Sequence, residues 1–313
     1  MGSAKLEGQV QVEWRWLIAA YLFLAGVGGG AYLTGVIADF AGGPDWALVS
    51  KIGVFLGVPC VLLGCLFLLA DLGTPLNAWR VWMKPKTSWI ARGTIIIVLF
   101  MVFAAIQSAF WIWPFPGAIE NARGAIAVLG AIFAFLTVIY TGLLLGYSQP
   151  IALWHTALLP VLFFVSAVST GIMAITLIGH PMGAEAAQLA LLAKIDALIL
   201  VFEAFVLVVF LYNAYRTLES RFSARRILSG PVASAFWLGV VACGLVIPFF
   251  LELGGHGFAA ILASLLGLFG GLCLRYAVLA GGIISPIEAA GFEFARIDRP
   301  KDPMPAIGKL PPS

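Results

Sequence analysis

Eight stretches of the chain are apolar almost without interruption, at about 15–40, 46–70, 90–112, 122–145, 153–179, 187–215, 231–251 and 257–280. Each is long enough to cross a bilayer as a helix, which takes roughly 20 residues. Between them fall short breaks with turn chemistry: "AGGPD" at 41–45, "WPFPG" at 113–117, "GYSQP" at 146–150, "GHPMG" at 179–183 and "SGP" at 229–231. Lipid admits only helices and closed barrels, and these runs are far too long for strands. The pattern predicts an all-α integral membrane protein with a bundle of about eight transmembrane helices over 15–280. A polar N-terminal segment occupies 1–14 and a charged, proline-rich extramembrane tail 281–313. An even number of spans places both termini on the same side.

Composition agrees with this pattern. The 313 residues are 62% hydrophobic and 11% charged, with a mean hydropathy of +1.03. A soluble domain carries roughly 25% charged residues, so lipid must be the solvent. The opening "MGSAKLEGQVQVEW" has neither an apolar core nor a small-residue cleavage site, so the first apolar run is expected to be a span, not a signal peptide. Cys60, Cys65, Cys243 and Cys273 lie inside apolar runs without CxxC spacing, and neither a disulfide nor a metal site is expected of them.

Charge adds a direction. Lys and Arg gather on the termini side, in the loops at 71–89 and 216–230 and in the tail, with Arg123 on the opposite side and Lys51 and Lys194 just inside helix ends there. The positive-inside rule then makes the termini cytoplasmic. The same basic excess would serve as docking charge if a partner were exported.

Ionisable groups inside spans are functional candidates, because lipid makes them expensive. Glu203, in "KIDALILVFEAFVLVV", is the foremost, and Asp196 lies two helical turns earlier on nearly the same face. Two stacked carboxyls can pass protons through a bundle interior, so both are predicted to lie on a proton pathway. Gln107, Glu252, Asp39 and Lys51 fall toward the side opposite the termini, where headgroup exposure is expected. Arg275, in "GGLCLRYAVLAGG", is close enough to a helix end to snorkel. His155, His180 and His256 are the three histidines, too few to give four axial ligands to a pair of transmembrane haems.

The loop "DLGTPLNAWRVWMKPKTSWIARG" at 71–93 interrupts this oily sequence with an acid, a turn, three tryptophans and several bases. Together with "EWRWLIAAYLFLAGVGGGAYL", "YTGLLLGYSQPIALWHTALLPVLFFVSAVSTG" and "GLCLRYAVLAGG", it resembles the NrfD/PsrC family of quinone-interacting membrane subunits, over nearly the whole chain. The resemblance implies a bound menaquinone or ubiquinone near one membrane face, with no haem and no iron–sulfur cluster in this chain. It also implies a partner subunit with four iron–sulfur clusters, often joined to a molybdopterin or other catalytic subunit. The family's quinone-binding positions in the first and fourth spans fall on Tyr21 and Tyr140. Some members carry a histidine at the first position and an amide where this chain has Ile18. A phenol hydrogen-bonds a quinone carbonyl but accepts protons poorly near neutral pH. The catalytic assignment therefore goes to the loop's edges, with Asp71 exchanging the quinone's proton, directly or through water, and Arg92 tuning it. Two other readings fit the apolar pattern: a secondary transporter using Glu203 and Asp196 for ion coupling, and a passive membrane anchor.

Overall fold

A computed structural model of the protein describes residues 9–10, 16–71, 88–148, 151–254, 257–284, 288–289 and 292–293. The 1–14 segment apart from its Gln9–Val10 pair, most of the 71–93 loop, His256 and nearly all of the tail lie outside the described residues.

The described residues form a helical bundle with eight crossings. The first is α1 (Trp16–Gly42) and the second α2 (Ala47–Asp71), joined by one turn of 3₁₀ helix at Gly43–Trp46. Gly43 takes a left-handed φ of 65° there and Pro44 follows it, so the chain reverses instead of continuing as one long helix. The third crossing, α3 (Trp89–Ile112), starts at Ser88, whose Oγ accepts the Ala91 N–H at 3.3 Å. A single turn, α4 (Gly117–Glu120), leads to the fourth, α5 (Arg123–Ser148).

The fifth crossing is α6 (Leu158–Met182), stopped by Gly183 at a left-handed φ of 79°. The sixth is α7 (Ala186–Arg216), followed by the short basic helix α8 (Leu218–Ser229). The seventh begins as a π-helix over Ala235–Val246 and continues as α9 (Ile247–Gly254). At the join, the Ile247 N–H reaches back five residues to the Ala242 carbonyl, and Pro248, which has no N–H, follows immediately. The eighth, α10 (Phe258–Ala280), completes the bundle. All eight agree with the apolar windows in the sequence to within a few residues.

Bare backbone sets the close approaches. A Cβ at Gly30 of α1 would fall on the Ala167 carbonyl of α6, and one at Gly171 of α6 on the backbone of Gly30 and Ala31. Gly35 of α1 meets Gly53 of α2, and Gly244 of the π-helix meets Gly270 of α10, in the same way. Helix α1 is thus the seam between two groups of four spans: α1, α2, α3 and α5 on one side, α6, α7, α9 with its π-helix, and α10 on the other.

The ends of the bundle are tied by polar contacts. The strand β1 (Gln9–Val10), before α1, pairs antiparallel with β2 (Ile283–Ile284), after α10, so the first and last spans end at the same end of the bundle. A further two-residue pair, β3 (Glu288–Ala289) with β4 (Phe292–Glu293), follows. At that same end Trp154, fully buried between α5 and α6, donates its indole N–H to the Val278 carbonyl at 3.0 Å. Arg226 of α8 donates to the Ala280 carbonyl at 2.9 Å. At the far end Arg123 of α5 grips Asp39 of α1 at 2.8 Å.

Candidate functional site

Two buried polar clusters lie on opposite sides of α1. The first belongs to spans one to four. Tyr21 is five residues into α1, or about 7 Å along its axis from the end that bears β1. Both Tyr21 and Tyr140 are buried, and their phenols are electrostatic neighbours. The Tyr21 ring lies against Gly64 of α2, with Cys65 beside it. The Tyr140 ring lies on Gly93 of α3, where any Cβ would enter it. Four helices therefore converge on this phenol pair, and two of them supply glycine so that the rings fit.

Asp71 and Arg92 stand at the two edges of residues 72–87, which lie outside the described residues. Asp71 is the last residue of α2 and half-buried. It is seven residues, or about 10 Å along the helix, beyond the Gly64 that backs Tyr21. Arg92 is in the first turn of α3 and exposed, with its guanidinium 5.0 Å from the Trp89 ring, which in turn stacks on Tyr147 at 4.3 Å. Its neighbour Gly93 touches Tyr140, so Arg92 lies one residue along α3 from the backbone that packs on that phenol.

The second cluster belongs to spans five to eight. Asp196 and Glu203 of α7 are both buried and both face inward. Three of the sequence expectations change here. Arg275 does not snorkel: it is 1% exposed, and donates to Ser166 Oγ at 2.6 Å and to the Gly271 carbonyl at 2.9 Å. It can fold back because Gly271, one turn earlier, has no side chain in its way, and its charge is balanced by the neighbouring Glu203. Glu252 is 9% exposed instead of facing headgroups, and adjoins Asp196. Gln107 is buried as well, in the first group of spans. The sequence cue for Arg275 was the glycine four residues before it. For Glu252 no cue was visible, because its burial depends on α7 lying over it.

Between Glu203 and Ser169 lies a cavity of about 10 Å³, the size of one water position. Its walls include Ser166, Thr170 and the Gly244 of the π-helix.

A family profile described as "Polysulphide reductase, NrfD" matches residues 5–287. The chain belongs to the NrfD family. Among its relatives in the NrfD family is the C chain of the polysulfide reductase of Wolinella succinogenes, 29% identical over 299 residues, which span 87% of this protein and 94% of that one. "Protein NrfD" of Escherichia coli is 28% identical over 305 residues, 86% of this protein and 94% of the relative. The C subunit of the selenate reductase of Mesobacillus selenatarsenatis is 21% identical over 323 residues, 88% of this protein and 75% of the relative. NrfD-family membership and the eight crossings together make this a multi-pass membrane protein of a family of reductase-complex subunits.

Proposed function

We propose that this protein is the membrane subunit of a respiratory oxidoreductase complex, anchoring it and exchanging electrons between the membrane quinone pool and an iron–sulfur partner subunit. The observation that carries the reading is the Tyr21–Tyr140 pair, two buried phenols set side by side near one end of the bundle. A phenol can donate one hydrogen bond to a carbonyl oxygen, and quinone carbonyls are acceptors without donors of their own. The donor set and the head group therefore fit. Bound menaquinone or ubiquinone would supply two-electron redox chemistry.

The protein's own residues do the rest. Tyr21 and Tyr140 orient the head group by hydrogen bonds while Gly64 and Gly93 hold their rings in register. Asp71 exchanges protons with the site, directly or through water, and Arg92 supplies positive charge to that carboxylate. The relatives named for polysulfide and selenate reduction are each one lettered component of a larger enzyme. By that likeness the partners here are a four-cluster iron–sulfur subunit and a molybdopterin or other catalytic subunit. The basic α8, with Arg221 and Arg225 beside Tyr215, lies at the end of the bundle that bears β1 and is a surface for such a partner. The positive-inside rule places this end in the cytoplasm, in the inner membrane of a bacterium or archaeon.

The test is mild-detergent affinity isolation from source membranes, with iron and molybdenum quantified and a quinone analogue titrated into the isolated complex. Iron-rich partners at fixed stoichiometry, with analogue binding weakened by Tyr140→Phe, are the expected result. A protein that comes out alone, free of iron and blind to the analogue, would refute the proposal.

A further inference from the structure

Away from both polar clusters, a cavity of about 270 Å³ opens between α2 and α6, walled by Lys51, Ile52, Phe55, Leu56, Ile178 and Met182. It lies at the end of the bundle remote from the tyrosine pair, since Lys51 is the fifth residue of α2 and Met182 the last of α6. From Lys51 to Leu56 the helix rises about 8 Å. The cavity therefore begins at the depth of the helix ends and runs inward along apolar side chains. Its floor is firm, because Ile52, Leu56 and Ile178 pack with Ala31 and Ile175 in a small apolar core of their own. The cavity also straddles the seam, as α2 belongs to the first group of spans and α6 to the second. Elsewhere along the seam bare glycine backbone closes the gap, as at Gly30 and Gly171. Here the walls are side chains.

Lys51 gives the cavity a sign. It is exposed, lends its methylenes to the wall, and holds its ammonium 5.9 Å from the centre of the Phe55 ring, one turn further along α2. A cation at this depth needs an anion. The acids at this end do not supply one. Asp39 and Glu120 face Arg123, and Glu185 accepts from Gln188 Nε2 at 3.0 Å. Among the described residues, neither these nor Asp45 lies within ion-pair distance of Lys51. Arg123 is thus neutralised from within the chain, whereas Lys51 is left to a partner from outside it.

We propose that this cavity binds one anionic phospholipid, with an acyl chain lying between α2 and α6 and the phosphate paired with Lys51 Nζ. A basic residue at the mouth of an apolar pocket between spans is the arrangement that holds a charged lipid headgroup. The other candidates fit less well. A partner's helix, about 10 Å across, is too wide to enter. A quinone head group would find no hydrogen-bond donor among Ile52, Phe55, Leu56 and Ile178. A zwitterionic lipid brings an ammonium of its own, which competes with Lys51 for the phosphate. Bound there, the anionic lipid ties the two groups of spans together at the end of the bundle opposite the β1–β2 pair.

The experiment needs no quinone, so it succeeds or fails independently of the preceding proposal. The full-length protein, with any subunits that accompany it, is isolated in mild detergent. Phosphatidylglycerol or phosphatidylethanolamine with identical acyl chains is then titrated in, and bound lipids are counted by native mass spectrometry. One phosphatidylglycerol is expected to bind ahead of any phosphatidylethanolamine and to raise the thermal unfolding midpoint. Lys51→Gln, a mild change at an exposed position, should weaken phosphatidylglycerol about fivefold and leave phosphatidylethanolamine unchanged, the worth of one basic residue at an anionic surface. Lys51→Arg should keep the preference. Ile178→Trp, which fills the cavity, should weaken both lipids. Equal retention of the two lipids, or indifference to Lys51→Gln, would reduce the cavity to unselective lipid contact and overturn the proposal. Displacement of the lipid by glycerol 3-phosphate, by a quinone analogue or by a second copy of the protein would overturn it equally, by giving the cavity another occupant.

Discussion

Spans one to four bury their polar groups chiefly as phenols, hydroxyls and the Gln107 amide, keeping their ion pair, Asp39 with Arg123, at a partly exposed rim. Spans five to eight instead bury three carboxyls and a guanidinium among themselves. The two halves share α1 as a seam and the same glycine-mediated packing, so the contrast is not one of fold. Phenols suit a site that must hold an apolar-bodied ligand by hydrogen bonds. Carboxyls and a guanidinium retained in lipid cost several kcal/mol each unless they are paired or neutralised, as Glu203 and Arg275 are by one another.

The comparison can be broken most severely at the seam. Gly30→Leu would drive a side chain into the Ala167 backbone and separate the halves, and is expected to abolish recovery of monodisperse protein from detergent. Recovery at wild-type yield would mean that the halves do not depend on this contact. Next in size is Arg275→Met, which leaves Glu203 buried without its counter-charge. The loss should be about 3–5 kcal/mol, read as a lowered thermal unfolding midpoint, and much of it should return in the double variant with Glu203→Gln. No recovery in the double variant would refute the pairing. Third is Tyr140→Phe, which removes one hydroxyl from the first cluster. It should weaken quinone-analogue binding about tenfold and hardly change the midpoint, as expected for one hydrogen bond of roughly 1 kcal/mol. Glu203→Gln should leave analogue binding untouched, and a shared response would merge the two clusters into one site. The smallest effect belongs to Asp39→Asn. Its pair with Arg123 is partly exposed, and the change should cost under about 1 kcal/mol in the same midpoint measurement.

The spans were readable from the sequence because lipid imposes length and apolarity on every crossing helix. Glycine and proline punctuation located the turns, as at Gly43–Pro44 and Gly183. Tyr21 and Tyr140 could be named in advance from the family resemblance, and Asp196 could be paired with Glu203 from helical spacing. Arg275 and Glu252 could not be, since position near a helix end suggests exposure, whereas their burial is decided by which helix lies alongside. Arg275 is enclosed by α1 and α6, both distant from it in sequence, and Glu252 by the preceding span α7, whose facing side the apolar pattern does not mark. The π-helical start of the seventh span was equally hidden, because its apolar composition suits either helical pitch.

The small antiparallel ladder between Gln9–Val10 and Ile283–Ile284 has a consequence for how the bundle is made. A polypeptide inserted into the membrane from its N-terminus carries one half of that ladder before the first span is laid down, and the other half emerges only after the last. The two strands therefore cannot pair until synthesis has passed residue 284, and a product truncated inside α10 would lack the pair. Pairing of the strands thus reports that every span has been delivered.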